Sequence, residues 1–174
     1  MPAIRLHHAK TGEDLVPLRH LIQLYMYDFS VFWDDADRDA HVDQRGLFDA
    51  GIDLRSYLDS TARWAYLVSS EDRLVGFALL HAQTVHRPGP GRLVEEFFIM
   101  RRYRRKGLGR LAATRLFDGY TGYWEIAAIG PNVPAQNFWR RVLSSYTRNR
   151  YDEFTTHEDG RPIVWQTFDS STWR

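Results

Sequence analysis

A short basic segment with two glycines is the part of the sequence whose residue types and spacing most clearly suggest chemistry. Residues 101–110 read RRYRRKGLGR, with five Arg, one Lys and no acidic residue. An apolar run at 94–100 precedes this segment, and apolar residues at 108, 111, 112 and 116 follow it at helical spacing. Helix N-termini expose unpaired backbone N–H groups, and glycines let the backbone approach an anion closely. The segment therefore predicts a di- or polyphosphate site at a strand-to-helix turn.

The spacing of the glycines excludes two common phosphate-binding motifs. The nucleotide P-loop pattern G-x-x-x-x-G-K-S/T is absent, and a dinucleotide fingerprint would need glycine where the chain has Ala112. The pattern present is R-x-x-G-x-G, formed by Arg104, Gly107 and Gly109. A solvated basic turn or a nucleic-acid patch is the alternative interpretation. The net charge of +1, from 23 basic and 22 acidic residues, argues against general nucleic-acid binding.

The elements that must position this turn alternate between strands and helices. Strands are predicted at 3–8, 63–70, 73–82, 92–100, 123–129, 151–160 and 161–169, and helices at about 14–27, 54–60, 107–117 and 134–143. Residues 28–51 are predicted to be a long loop. This order predicts a single domain over residues 1–174 of the α/β (α+β) class, with a mixed, mostly antiparallel sheet flanked by helices.

Several other classes of protein are excluded by composition. The chain has no cysteine, which removes disulfides, thiolate metal sites and a cysteine nucleophile. Its histidines are scattered without metal-ligand spacing, so no metal is expected. No apolar run approaches the roughly 18 residues of a transmembrane helix, and the N-terminus lacks the profile of a signal peptide. We therefore expect a cytoplasmic protein that binds no membrane.

The sequence resembles the GNAT superfamily of N-acetyltransferases. The residues Arg104, Gly107 and Gly109 match the family loop Q/R-x-x-G-x-G/A, which binds the pyrophosphate of acetyl-CoA, and Tyr103 precedes it as is common there. The family's second block has Asn, Ala at +3 and an aromatic pair at +6 and +7. Its counterparts here are Asn132, Ala135, Phe138 and Trp139. The order of elements also agrees over roughly residues 3–169, and the N-terminal part resembles a subgroup of small, uncharacterised acetyltransferases.

The resemblance implies that acetyl-CoA is the acetyl donor and that no metal takes part. Backbone amides of residues 105–110 would hold the pyrophosphate, and the strand before the turn would pair with the pantetheine arm. The amide of Ile99 would polarise the thioester carbonyl, and Asn132 would contact the pantetheine or the acceptor side. The implied acetyl-CoA-binding residues are Phe97, Phe98, Ile99, Arg104, Arg105, Lys106, Gly107, Leu108, Gly109, Arg110 and Asn132.

Acetyl transfer to an amine requires a base, because a free alkylamine has a pKa of about 10 and must be neutral to attack. Glu95, Glu96 and Glu125 are the candidates. Regular strand alternation would place Glu95 and Glu96 on opposite faces, so that at most one of them faces the cleft. Members of the family often carry a glutamate on the later strand, and this favours Glu125 over Glu96 by a small margin.

The leaving thiolate benefits from a proton donor, which in the family is often a Tyr seven residues after the Asn. Trp139 occupies that position here, and an indole is not a useful acid. Core packing is the favoured interpretation of Trp139. Tyr146 or Tyr103 would then supply the proton, or solvent would help the thiolate leave, or the protein binds acetyl-CoA without efficient catalysis. For Asn132, a helix cap and a ligand contact are equally favoured.

An acidic and aromatic stretch gives the expectation for the acceptor. Residues 25–60 contain nine Asp and three Arg, a net charge of −6. Tyr25, Asp28 and Trp33 are the candidate substrate-binding residues, since aromatic faces and carboxylates attract cations. A cationic amine such as a polyamine, an aminoglycoside-like compound or a basic peptide terminus would suit them. In the alternative interpretation, the aromatic residues fill the core and the Asp residues are solvated.

Together these features predict an acetyl-CoA-dependent N-acetyltransferase that moves an acetyl group to a primary amine by direct attack on the thioester. The expected partner is a small-molecule amine, with no nucleic acid, and the final strands could pair with a second copy as a homodimer. One alternative is a non-catalytic acyl-CoA-binding or protein-interaction module of the same fold. Another is a nucleic-acid-binding protein that uses the arginine cluster.

Overall fold

The computed structural model describes residues 3–33 and 41–172, and its elements follow the predicted order. The strands are β1 (Ile4–His8), β2 (Arg63–Ser70), β3 (Arg73–His81), β4 (Gly91–Ile99), β5 (Tyr123–Ile129), β6 (Asp152–Glu158) and β7 (Arg161–Asp169). The helices are α1 (Leu15–Phe29), α2 (Leu108–Asp118) and α3 (Val133–Thr147), with short 3₁₀ turns at Ser30–Phe32, Leu54–Tyr57, Arg101–Tyr103 and Ser170–Thr172. Residues 34–40, which belong to the acidic stretch at 25–60, lie outside the described residues.

The strands form one sheet in the order β1-β2-β3-β4-β5-β7-β6. Neighbouring strands are antiparallel except β4 and β5, which run parallel, so the prediction of a mixed, mostly antiparallel sheet is confirmed. The parallel pairing extends only from Gly91 to Val94 of β4. Beyond that point β4 continues against β3 and β5 continues against β7. The sheet therefore opens in its middle, at the carboxyl end of β4.

Helices cover both faces of the sheet. The residues of α1 that are buried, at positions 15, 18, 21, 22 and 26, recur at the spacing of one helical face. They pack with Tyr57, Phe77 and Phe98 on the first face of the sheet, which we call the α1 face. On the opposite face, α2 and α3 pack together around Phe117 and Trp139. This arrangement places the start of α2 at the carboxyl end of β4.

None of the helices in the described part of the chain is long and apolar enough to cross a membrane. Within residues 3–33 and 41–172, no group of three or more histidines and carboxylates is placed to hold a metal ion.

Candidate active site

The turn from β4 into α2 presents several backbone N–H groups in one direction. Gly107 is the N-cap of α2, with a φ of 79°, and no side chain caps this helix. Arg105 also has a left-handed φ of 59°. The first helical hydrogen bond joins the Leu111 N–H to the Gly107 carbonyl at 3.0 Å, so the amides of residues 108–110 have no acceptor within the helix. A turn with free amides of this kind suits an anion, and the binding of phosphate here stays a prediction.

The two glycines of the motif serve different physical needs. Gly107 supplies the left-handed conformation, which a side chain would strain. Gly109 supplies space, because a Cβ there would lie 3.1 Å from Cε2 of Phe138 and 3.5 Å from Cγ1 of Ile99. The start of α2 can thus lie close to both β4 and α3. Phe138, from the second sequence block, is the side chain that a larger residue at position 109 would crowd.

The cations of the segment divide into two groups. Arg101 and Arg104 both donate to the Asp28 carboxylate, and Arg104 Nε also donates to the Ile99 carbonyl at 2.7 Å. Asp28, a candidate substrate-binding residue, therefore joins the end of α1 to the phosphate turn. Four other cations have no carboxylate partner within the described residues. They are Arg102, Arg105, Lys106 and Arg110.

Every second residue of β4 points its backbone N–H and C=O groups toward the opening in the sheet. The Met100 N–H donates to the Val75 carbonyl at 2.9 Å, so in the antiparallel register the peptide groups of Phe98 also face β3. The backbone N–H and C=O groups of Phe97 and Ile99 point to the opposite edge of β4, where β5 is no longer paired with it. Of the three residues expected to pair with pantetheine, Phe97 and Ile99 lie with their backbone at the opening, and Phe98 is bonded within the sheet.

A β-bulge in β4 places two glutamates on the α1 face. Leu79 pairs with Glu96 and Leu80 with Val94, which leaves Glu95 as the extra residue. Glu95 accepts a hydrogen bond from Tyr57 and Glu96 accepts one from Tyr25, both at 2.5 Å. The prediction that Glu95 and Glu96 face opposite sides is therefore wrong, because it assumed regular alternation through a point where the strand is bulged.

The environment of Glu96 suits a group that exchanges a proton near neutrality. Burial raises the pKa of Glu96 to about 7, the neighbouring Glu95 charge adds to the rise, and the Tyr25 hydrogen bond opposes it. The residue retains partial exposure to solvent, which a group that meets a substrate requires. Burial also raises the pKa of Tyr25 well above its usual value, so its hydroxyl remains a donor. Glu96 can therefore act as a base at physiological pH.

Glu125 lies in a different environment on β5. Its side chain is fully buried, and its two oxygens accept the backbone N–H groups of Val85 at 2.6 Å and His86 at 2.9 Å. The His86 ring packs edge-on against Trp165 and Phe154, with centroids 4.4 and 4.8 Å away. Glu125 therefore fastens the segment between β3 and β4 to the sheet, and both of its oxygens are already occupied by backbone donors.

The second sequence block has a structural role in α3. Asn132 is the N-cap of this helix, and its Oδ1 accepts the Ala135 N–H at 3.1 Å. Trp139 is buried on the α2/α3 side of the sheet, where its ring contacts Phe97 and Phe138. The interpretation of Trp139 as a core residue is confirmed.

Two other candidate residues lie in aromatic clusters on opposite faces of the sheet. Tyr146 packs between Phe117 and Phe168, and its hydroxyl donates to Asp118 at 3.0 Å. Trp33 packs against Phe29 and the cluster beneath α1. Tyr146 thus lies on the α2/α3 side, whereas Trp33 shares the α1 face with Tyr25 and Glu96.

Parallel strands that open onto an uncapped helix start are the frame of the candidate site, and comparison with known proteins assigns the family. Residues 18–144 match the model of the acetyltransferase (GNAT) family. This chain therefore belongs to the GNAT family. No curated protein sequence matches it significantly.

Solved structures of acetyltransferases share the fold over nearly the whole chain. A GNAT-family acetyltransferase of Desulfovibrio desulfuricans is 12% identical, covering 97% of this chain and 99% of that one, with a TM-score of 0.64. An acetyltransferase of Thermus thermophilus is 16% identical over 96% and 97% of the two chains, with a TM-score of 0.67. A spermidine N-acetyltransferase of Vibrio cholerae, solved with CoA and spermine, is 13% identical over 97% and 96%, with a TM-score of 0.64.

Proposed function

We propose that this protein is an acetyl-CoA-dependent N-acetyltransferase whose acceptor is a primary amine of a small cationic molecule. The observation that carries the proposal is Glu96, a residue with partial solvent exposure on the strand that borders the opening in the sheet, where burial of its carboxyl raises the pKa to about 7. Family membership supplies the class of reaction. The spermidine enzyme of V. cholerae, solved with CoA and spermine, is a precedent for a cationic amine acceptor on this fold.

The donor half of the site combines the phosphate turn with the free edge of β4. The pyrophosphate of acetyl-CoA binds the uncapped amides of residues 108–110, assisted by Arg105, Lys106 and Arg110. The pantetheine arm extends along the β4 edge at Phe97 and Ile99. The Ile99 N–H then polarises the thioester carbonyl and stabilises the oxyanion that forms on it. The Asn132 side chain has its oxygen on the α3 cap, and its amide nitrogen donates to the pantetheine.

The acceptor arrives as an ammonium ion. With a pKa of about 10, only about one molecule in a thousand is neutral at pH 7. Glu96 removes one proton, the neutral nitrogen attacks the carbonyl carbon, and a C–N bond forms. The tetrahedral intermediate then loses its second N–H proton to solvent, and the C–S bond breaks with its electron pair on sulfur, which leaves a neutral amide. Thiols are acidic, with a pKa of about 8.5 for cysteine, so the CoA thiolate is a good leaving group, and it takes its proton from solvent. This scheme needs no acid from Tyr146 or Tyr103, and it accommodates Trp139. It assigns the base to Glu96 and leaves Glu125 a structural role.

Charge on the α1 face selects the acceptor. The bulge presents Glu95 beside Glu96, and Glu95 is exposed with a hydroxyl donor, Tyr57, on one oxygen. A substrate with a second positive charge can therefore place its reacting amine at Glu96 and its other charge at Glu95. Tyr25 acts by positioning Glu96, and Trp33 provides an aromatic wall on the same face. Asp28, whose carboxylate binds two arginines, is not assigned a substrate contact.

Two measurements test the proposal. Isothermal titration with acetyl-CoA should give binding at submillimolar concentration, and substitution of Arg105 and Lys106 by Glu should weaken it in a salt-dependent way. A thiol-release assay should then compare amines matched in length, such as an α,ω-diamine and the amino alcohol in which one amine is replaced by a hydroxyl. We expect the diamine to react with a kcat/KM higher by about two- to fivefold, because an ion pair with the exposed Glu95 carboxylate is worth about 0.5–1 kcal/mol.

The outcomes separate the alternatives. Failure of acetyl-CoA to bind would overturn the donor site and the whole proposal. Tight acetyl-CoA binding without thiol release across polyamines, aminoglycosides, amino acids and basic peptides would instead identify a non-catalytic acyl-CoA-binding module. Equal rates for the diamine and the amino alcohol would overturn the role of Glu95 and leave the enzyme class intact.

A further inference from the structure

A second cavity lies at the end of α2 opposite to the phosphate turn. Its volume is about 210 Å³, and it is formed between the first residues of β4 and the last turn of α2. Its charged lining residues are Arg92 and Arg115, and its walls include Trp64, Tyr66 and Tyr120. The phosphate turn begins α2 at Gly107, roughly 12 Å along the helix axis from Arg115 at 1.5 Å per residue. The cavity is therefore distinct from the acetyl-CoA site.

The guanidinium of Arg92 is held between two aromatic rings. Its Cζ lies 3.9 Å from the ring centroid of Trp64 and 3.9 Å from that of Tyr120. Nη1 donates to the Gly91 carbonyl at 2.8 Å. Because both faces of the guanidinium are covered, a ligand can reach only its edge. Nε and Nη2 form there a planar fork that matches a carboxylate.

The charge at this cavity has no internal counterpart. No carboxylate of residues 3–33 or 41–172 forms an ion pair with Arg92 or Arg115, although seven other ion pairs are present there. Burial costs the Arg92 guanidinium part of its hydration, and within the described part of the chain only the aromatic rings and one carbonyl hydrogen bond compensate for this loss. An anion in the cavity would supply the missing charge.

We infer that this cavity is a binding site for a small organic carboxylate with an apolar body. The carboxylate binds the edge of Arg92, Arg115 adds a second positive charge, and the apolar part contacts Leu80 and Leu116 between the aromatic walls. The cavity is smaller than the roughly 300–1,000 Å³ of sites for drug-sized ligands, which limits the ligand to the size of benzoate or a short-chain acid. The geometry does not require acetyl-CoA to be bound.

Titration of the full-length protein with benzoate, followed by NMR or calorimetry, tests the inference. We expect binding in the millimolar range or tighter, and Arg92→Gln should weaken it by about tenfold or more, since two charge-assisted hydrogen bonds are lost. Arg115→Gln, at an exposed position that tolerates substitution, should weaken it about threefold. Arg141→Gln, an exposed arginine on α3, is the matched control and should leave the affinity unchanged.

Two further arms exclude the basic phosphate turn as the source of the signal. Saturating CoA should leave benzoate affinity within about twofold, and inorganic phosphate should bind the cavity more weakly than benzoate because it has no apolar body. The site assignment is overturned by competition with CoA, by affinity unaffected in both Arg92→Gln and Arg115→Gln, or by no binding up to about 20 mM. Phosphate binding as tight as benzoate, and dependent on Arg92, would overturn the carboxylate assignment. Retained acetyl-CoA binding verifies that each variant is folded.

Discussion

Two glutamates lie on β4 and β5, the strands that border the opening in the sheet, and they differ in the groups that donate hydrogen bonds to their carboxylates. Glu125 is fully buried, and both oxygens accept fixed backbone N–H groups from the segment between β3 and β4. Glu96 is partly exposed, one oxygen accepts the Tyr25 hydroxyl, and Glu95 lies on the same face. Fixed backbone donors satisfy a carboxylate and hold its loop in place. A carboxylate with one hydroxyl donor and a like charge nearby remains able to take a proton.

The most severe test of this comparison is Glu96→Gln. The amide keeps the shape and can accept the Tyr25 hydroxyl, but it cannot take a proton from an ammonium ion. We expect kcat/KM for amine acetylation to fall by about 10² to 10⁴ and acetyl-CoA affinity to stay within about twofold. Thiol release at pH 7.5 measures kcat/KM, and calorimetry measures the affinity for acetyl-CoA. A loss of less than about fivefold would remove Glu96 as the base.

The companion change, Glu125→Gln, should act on stability. A glutamine can offer one acceptor oxygen, so its NH₂ group would meet either the Val85 or the His86 N–H. We expect the free energy of unfolding in urea to fall by about 1–3 kcal/mol, as for a buried group that loses its partner. The kcat of the folded fraction should change by less than about threefold. Unchanged stability with a loss of activity as large as that of Glu96→Gln would reverse the comparison and make Glu125 the base.

Much of the fold could be predicted because each element has a strong local signal. The apolar spacing of α1, the hairpin at 63–81 and the glycine-opened start of α2 agree with the structure to within about two residues. The phosphate turn was predictable for the same reason. Its residues are contiguous, and Gly107 needs no partner from elsewhere in the chain to take a left-handed φ.

Contacts between distant segments could not be predicted in this way. Glu125 meets Val85 and His86 across 40 and 39 positions, and Asp28 meets Arg104 across 76. Neither of these long-range contacts produces a periodic pattern in the sequence. The bulge at Glu95 is a register shift between two strands, whereas the pattern of one strand alone suggests unbroken alternation. The adjacent pair Glu95–Glu96, between the apolar residues at 93–94 and 97–100, was the available signal that alternation fails there.

Stability as a function of pH tests the raised pKa of Glu96. The pKa of Glu96 in the folded protein, about 7, lies above its ordinary value of 4.5, so the folded state binds the proton more tightly and loses stability as pH rises between these values. Glu96→Gln removes this loss. We expect the free energy of unfolding of the variant to equal that of the parent at pH 4.5 and to exceed it by about 1–2 kcal/mol at pH 8. This value includes a discount for partial exposure. Denaturant titrations at four pH values measure the trend, and a gain independent of pH would contradict it.

The smallest expected effect concerns the hydroxyl that positions Glu96. The Tyr25 hydrogen bond lowers the pKa of Glu96, so Tyr25→Phe should raise that pKa further. The acid limb of the profile of kcat/KM against pH should then move upward by about half to one unit, with a high-pH plateau within about threefold of the parent. Tyr57→Phe is the matched control, because the Tyr57 hydroxyl donates to Glu95 and not to Glu96. The midpoint of the pH profile of this variant should move by less than about 0.3 unit. A purely structural role of Tyr25 would lower the plateau without moving the midpoint. A midpoint that moves equally in both variants would show that the α1 face acts through its total charge and not through Glu96 alone.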